Sequence, residues 1–342
     1  MVVLFHASEN WSVAAFGEAT HVWWNGAGGV DIFFVISGFV MAVSTLDKGT
    51  GPSVAGRFLA RRIVRIYPLY WIVTTLLVLK ISFGLVLSPN GLHHIPPLFG
   101  LCSYLLIPAH SPAGDLFPIL APGWTLSYEL FFYLCFAAAL FLRRSVPIAL
   151  TIVLGGLAIL GTFRTGAWPV ATVLFNPLLL EFLAGLWLGR AFLSGRALPA
   201  RIAAALGVLA AIALFALPAV APAFRRLEWG ICGFLLVQAA VLLESKLDSI
   251  PRWVLLTGDA SYSLYLTHAP LLGLYTFLLK RARVLVPGRV RLEDEAITLV
   301  VSLTLSIAVG IACYLAVESP LNDRTRRLLR LRPVQAHSAQ VP

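Results

Sequence analysis

Nine apolar stretches, each near the length that crosses a bilayer, dominate this sequence: 27–46, 67–87, 124–142, 147–163, 172–193, 202–221, 229–244, 260–279 and 296–317. An α-helix needs about 20 apolar residues to traverse the hydrocarbon core. Inside that core no water is present to satisfy backbone N–H and C=O groups, so stretches of this length solve the problem by becoming helices. The pattern predicts an all-α, polytopic transmembrane bundle. A further stub, Met1-Val-Val-Leu-Phe5, ends at His6 and reads as the tail of another helix whose beginning is missing. We therefore expect about ten spans, the first truncated.

Composition agrees with lipid as the solvent. The chain is 59% hydrophobic and 12% charged, with a mean hydropathy of +0.86, whereas soluble domains carry about a quarter charged residues. A formal charge of +10 would point to nucleic acid in a soluble protein, but no aromatic-interleaved basic stripe accompanies it. Basic residues instead collect in cytoplasmic loops and set orientation. With 27–46 running outward to inward, seventeen Lys and Arg residues fall on the inner side and eight on the outer. The inner set includes Lys48, Arg143, Arg144, Arg190, Arg196 and the tail residues Arg324, Arg326, Arg327, Arg330 and Arg332. The cluster at 280–291 runs against the trend. The bias predicts a cytoplasmic C-terminus, with a membrane domain over 1–323 and a basic tail over 324–342. No internal repeat is evident. Cys102, Cys135, Cys232 and Cys313 show no paired or metal-ligand spacing, and the N-terminus lacks the basic flank of a signal peptide.

Ionisable side chains within the spans cost about 2.5–3.5 kcal/mol on insertion scales and usually face the bundle interior. Asp31 lies in Gly28-Gly-Val-Asp31, near the outer start of its helix, where it is either an interfacial carboxylate favoured by the helix dipole or a site residue. Glu129, in Trp124-Thr-Leu-Ser-Tyr128-Glu129, is a structural ion-pair partner or a carboxylate that steadies a histidine. Ser261, Tyr265 and His268 recur at i, i+4 and i+7 and share a helix face. Glu181 reads as structural, and Gly185 and Gly189 as a close-packing face, as do Gly28, Gly29, Ser37 and Gly38. His6 carries the side chain most often used as a general base near neutral pH. On the inner side Arg57, Arg61, Arg62 and Arg65 are spaced three and four apart, a basic face suited to topology or to the phosphates of a nucleotide-containing donor. The connection from Ser88 to Gly123 carries seven prolines with His93, His94, His110 and Asp115. It is a surface loop or the cover of a site; no third ligand accompanies the paired histidines, so no metal is expected.

Taken together, Val2-Val-Leu-Phe-His6, Gly29-Val-Asp-Ile-Phe-Phe-Val-Ile-Ser-Gly-Phe39, Arg61-Arg-Ile-Val-Arg-Ile-Tyr-Pro68, Trp124-Thr-Leu-Ser-Tyr-Glu129 and Tyr262-Ser-Leu-Tyr-Leu-Thr-His268 resemble the acyltransferase 3 family of membrane acyltransferases, particularly bacterial enzymes that acetylate exopolysaccharides and other surface glycans. Glu318-Ser-Pro320 resembles the family's closing motif, with Ser319 in a commonly basic place. The resemblance covers essentially the whole chain. It implies a multi-pass protein of the bacterial inner membrane that takes acetyl-CoA or another acyl-CoA from the cytoplasm as co-substrate, with no metal. Arg61, Arg62 and Arg65 would bind that donor. His6 would be the catalytic base and Glu129 its assistant, while Asp31, Ser37, Trp124, Tyr128, Tyr265 and His268 would line the substrate cavity. The expected partners are the lipid bilayer, a glycan or other hydroxyl acceptor, and proteins of glycan biosynthesis, with no nucleic acid. The family places an arginine some ten residues before its histidine, and this sequence holds five residues there, so we expect a start assigned too late.

On this reading His6 takes the proton of the acceptor hydroxyl as it attacks the thioester; an acyl-histidine intermediate is the other route. Two rival functions use the same residues differently. A transporter or flippase of a lipid-linked glycan also places polar groups at mid-membrane, but no pair of matching interrupted helices is seen. An inactive, truncated relative serving a glycan synthase is the other.

Overall fold

The computed structural model describes residues 1–19, 22–83, 95–196, 198–216, 222–244, 250–282 and 292–329. Among them every extended regular element is helical: α1 (Val2–Phe16), α2 (Gly29–Thr45), α3 (Pro52–Ser82), α4 (Pro97–Leu105), α5 (Gly123–Phe141), α6 (Val146–Gly161), α7 (Leu179–Leu193), α8 (Ala200–Ala216), α9 (Pro222–Leu243), α10 (Arg252–Asp259), α11 (Ser261–Arg281), α12 (Leu292–Cys313) and α13 (Ser319–Leu328). A helix runs through the described part of each of the nine apolar stretches, though 172–193 becomes α-helical only from Leu179, after a short 3-10 turn over Val170–Leu174. Among the described residues four segments are long and apolar enough by themselves to cross a membrane: Trp24–Lys48, Pro52–Ser82, Gly123–Phe141 and Asp294–Leu328. Val146–Gly161, Ala200–Ala216 and Glu228–Leu243 are shorter apolar helices. Leu76, Ile152, Leu209, Phe215, Ile297 and Val300 are each more than half exposed, an outward apolar surface that suits lipid and not water.

The chain divides into two compact units. The first comprises Met1–Gly29, Pro68–Ser127 and Pro251–Ser319. In it α1 packs on α11 and α12, which also pack on each other. Trp11, Ala14 and Ala15 of α1 are buried with Leu279 of α11 beside them. Helix α1 thus continues ten residues beyond His6, where the apolar run was expected to stop. Polar residues hid the continuation, and the structure shows how they are accommodated. Ser8 Oγ donates to the Phe5 carbonyl and accepts from the Trp23 N–H, and Ser12 Oγ donates to the Glu18 carbonyl. In the proline-rich connection, α4 buries Phe99 against Ile119 with Leu77, Val78 and Ile81 of α3 alongside. Tyr70 donates to the Ser103 carbonyl at 2.7 Å. His110 Nδ1 stands 3.1 Å from the Gly114 carbonyl, and Asp115 accepts from the Phe117 N–H, so both serve the turn. His93 and His94 lie outside the described residues.

The second unit comprises Val30–Tyr67, Tyr128–Ile250 and Pro320–Pro342. Its helices pair as α6 with α7, α8 with α9 and α7 with α9, around Val35, Leu188 and Val237. Helices α2 and α7 cross at glycines. A Cβ on Gly38 would collide with the Phe182 carbonyl, and one on Gly185 with the Val35 carbonyl, which is the close approach expected of small residues in lipid. Phe182 stacks on Phe132 at 4.6 Å and lies 4.5 Å from Phe34. Helix α13 carries Arg324, Arg326 and Arg327, whereas Arg330 and Arg332 lie outside the described residues.

Candidate active site

In the first unit the polar side chains gather on α1 and α11. His6, in the second turn of α1, has Nδ1 3.2 Å from Glu9 Oε2, and both side chains are 36% exposed. A carboxylate accepts and does not donate, so the proton of this hydrogen bond sits on His6 Nδ1 and leaves the Nε2 lone pair available. Glu9 was not anticipated from the sequence. Its signal was the i, i+3 spacing from His6, which puts both on one helix face.

The His268 ring lies with its centroid 5.4 Å from that of His6. His268 is fully buried, and its Nδ1 is 2.6 Å from the Tyr265 carbonyl. A carbonyl also only accepts, so Nδ1 carries the proton and Nε2 is an acceptor; that atom is buried with no hydrogen-bond partner. Buried polar atoms are nearly always paired. The orphaned acceptor beside a partly exposed imidazole is thus an unspent polar atom in this unit. The Tyr265 hydroxyl is fixed, 2.8 Å from Thr125 Oγ1 and 3.1 Å from the Pro122 carbonyl that accepts from it. Trp124, in the first turn of α5, is part-buried in the same unit.

Helix α11 departs from the expected polar stripe in one respect. Ser261, at its first position, is exposed. The buried polar pair is Ser263 with Glu318, whose Oε2 accepts from Ser263 Oγ at 2.6 Å. Glu318 closes a π-helical turn over Tyr314–Glu318. The resemblance singled out Glu318 without giving it a partner, and its partner is Ser263.

In the second unit a different set assembles. Ser37, one residue before the α2–α7 crossing, donates to Glu129 Oε1 at 3.2 Å, and the Tyr133 hydroxyl donates to the same oxygen. Ser37, Glu129 and Tyr133 are all buried. The guanidinium carbon of Arg62 lies 5.6 Å from the Phe58 ring centroid and 5.7 Å from that of Tyr133, within the range of cation–π attraction. Its Nη2 donates to Ser44 Oγ at 3.3 Å. Ser37 and Ser44 are seven residues apart on α2, two turns along one face, so α2 supplies a hydroxyl to each end of the group. Tyr133 was missed as a site residue; it lies four residues, one turn, beyond Glu129. The buried Nε atoms of Arg61 and Arg62 have no hydrogen-bond partner. Buried guanidinium N–H groups are rarely left without an acceptor.

Three further candidates have structural surroundings. The Tyr128 hydroxyl donates to the Val173 carbonyl at 2.7 Å, and its ring lies 6.2 Å from Phe34. Asp31 is buried in the first turn of α2 with Gly233 of α9 against it. Glu181 is buried in the first turn of α7, facing Gly230. The four cysteines are free.

Comparison with known proteins bears on the chain as a whole. A family profile described as an acyltransferase domain matches residues 1–315. The exopolysaccharide production protein ExoZ of Rhizobium meliloti (strain 1021) is 35% identical over 341 residues, covering 95% of this chain and 96% of that protein. The acyltransferase MdmB of Streptomyces mycarofaciens is 34% identical over 133 residues, 37% of this chain and 32% of its own length. No solved structure matches.

Proposed function

This chain belongs to the acyltransferase 3 family of membrane acyltransferases, and from that premise we propose that it moves an acetyl group from acetyl-CoA, supplied at the cytoplasmic face, to a hydroxyl of a surface glycan. The observation that carries the reading is the His6 imidazole, backed by Glu9 on Nδ1, with Nε2 left open and the orphaned acceptor of His268 beside it. The acetyl donor and glycan acceptor extend the coarser activity; the exopolysaccharide role borne in the name of the Rhizobium relative supports the glycan.

The chemistry follows from these groups. His6 Nε2 takes the proton from the acceptor hydroxyl as the oxygen attacks the thioester carbonyl carbon. The carbon–sulfur bond breaks, the ester remains on the acceptor, and the imidazolium returns its proton to the departing thiolate, leaving free CoA. Glu9 holds the ring in the tautomer this needs and balances the charge on the imidazolium. Base catalysis of this kind contributes about 10²–10⁴ in rate. His268 accepts a hydrogen bond from the acceptor alcohol and so orients it. Arg61, Arg62 and Arg65 serve the phosphates of the donor, and Ser37, Glu129 and Tyr133 hold the helix that carries Glu129 against them. The protein lies in the bacterial inner membrane with its C-terminus in the cytoplasm, the side favoured by the excess of basic residues.

Purified protein incubated with acetyl-labelled CoA and glycan provides the test. Label moves onto the glycan in wild type and does not in His6→Ala. A carrier or flippase transfers no label in either, and that result overturns the reading.

A further inference from the structure

We propose that the second unit contains a phosphoester-binding cavity, separate from the arginine face of α3. It lies where α2, α5 and α7 end and α6 begins, and has a volume of about 500 Å³, within the roughly 300–1,000 Å³ of small-molecule pockets. Three arginines border it: Arg144 in the turn after α5, Arg190 in the last turn of α7, and Arg196 just beyond it. The fold gathers them from three chain positions. None of the three forms an ion pair among the described residues, and no Asp or Glu lines the cavity. Asp47, next to the lining residue Leu46, is exposed and outside the lining. A concavity with one sign of charge concentrates the opposite charge from solution. Guanidinium groups further prefer the paired oxygens of a phosphate.

Other features of the lining point to the same ligand. Thr50 and Ser145 contribute hydroxyls, while the Ser194 hydroxyl donates to the Arg190 carbonyl at 2.9 Å. Helix α6 starts at the cavity with no side-chain cap, and although Pro147 in its first turn carries no N–H, its positive end adds to the field. The carbonyl ends of α5 and α7 are engaged. The Leu140 carbonyl accepts from Gly51 N–H at 2.8 Å, Ala139 from Arg144 at 3.0 Å, and Ala191 from Arg196 at 3.0 Å. Trp187 forms part of the wall, with its indole N–H fixed on Thr151 Oγ1 at 2.9 Å. The ligand is therefore a phosphoester joined to an apolar or aromatic group. Positive-inside topology accounts for arginines at this end of the helices. It does not account for three of them around one opening without a carboxylate.

Two sources supply such a group at a cytoplasmic membrane face: the nucleotide end of CoA and the headgroup of an anionic phospholipid. Full-length protein in nanodiscs distinguishes them. In phosphatidylcholine discs, desulfo-CoA is titrated calorimetrically; in a second series, retained phosphatidylglycerol is counted by native mass spectrometry. The triple variant R144Q/R190Q/R196Q is expected to lose affinity by about tenfold or more for one ligand, while Arg201→Gln, on α8 outside the cavity, binds as wild type. Loss confined to desulfo-CoA identifies the nucleotide, and loss confined to phosphatidylglycerol identifies the lipid. Arg196→Gln alone, at a position exposed like those of Arg144 and Arg190, is expected to weaken the same ligand and serves if the triple variant does not fold. Unchanged binding of both ligands by the folded variants overturns the proposal. Because binding is the readout, the absence of acetyl transfer leaves the outcome intact.

Discussion

In the first unit both imidazoles keep an open acceptor; in the second the Glu129 carboxylate is engaged, and what stays open is the pair of Nε donors on Arg61 and Arg62. On α1 and α11, two imidazoles each spend one nitrogen on a carboxylate or carbonyl and keep the other as an acceptor. On α2 and α5, Glu129 Oε1 receives hydrogen bonds from Ser37 and Tyr133, whose ring packs against Arg62. Burial explains why the difference matters. A closed buried network rigidifies the helices that make it, whereas an open acceptor retains the capacity to bind or to react. The first group is therefore read as chemistry and the second as support for donor binding.

Five substitutions press on that contrast. His6→Ala should lower acyl transfer by about 10²–10⁴, with the thermal unfolding profile unchanged; retention of most activity in a labelled-acetyl assay would break the assignment at its strongest point. Glu129→Ala should act on the fold, because it strands two buried hydroxyls at about 1–3 kcal/mol each, seen as a clear fall in unfolding temperature in detergent. Glu129→Gln keeps an acceptor and should recover most of that stability. If Glu129→Gln is as stable as wild type yet as inactive as His6→Ala, Glu129 belongs with the chemistry and the contrast fails. Glu9→Gln should reduce kcat by about three- to tenfold, since a part-exposed charged hydrogen bond contributes about 1 kcal/mol. KM should hold, and a shift in KM alone would assign Glu9 to acceptor binding. Ser261→Ala, on the exposed start of α11, should stay within about 0.5 kcal/mol of wild type and retain full activity.

The helices were legible because membrane length is written directly in apolar runs, and the α2–α7 crossing because glycines at 185 and 189 already had helical spacing. His268 stood out as an ionisable group within a polar stripe in an apolar setting, and His6 through the family resemblance. What escaped notice depended on neighbours. Glu9 and Ser12 looked like the end of a helix, yet α1 carries them on by satisfying its serines with backbone carbonyls. Ser263 is paired across 55 residues with Glu318, a match no local pattern reveals. Tyr133 looked like one aromatic among many on α5 until its hydroxyl met Glu129. The arginines at 144, 190 and 196 looked like ordinary topology signals, since each lies at a different helix end.

The crossing at Gly38 and Gly185 limits how this protein can change. With a carbonyl oxygen of the opposite helix standing where a methyl group would go, neither position tolerates even alanine without parting the two backbones. Sliding α2 by a turn would bring larger residues to the same spot. Ser37 therefore has a fixed address one residue from the contact, and variants sought for new acceptors are better drawn from other helices, leaving this joint alone.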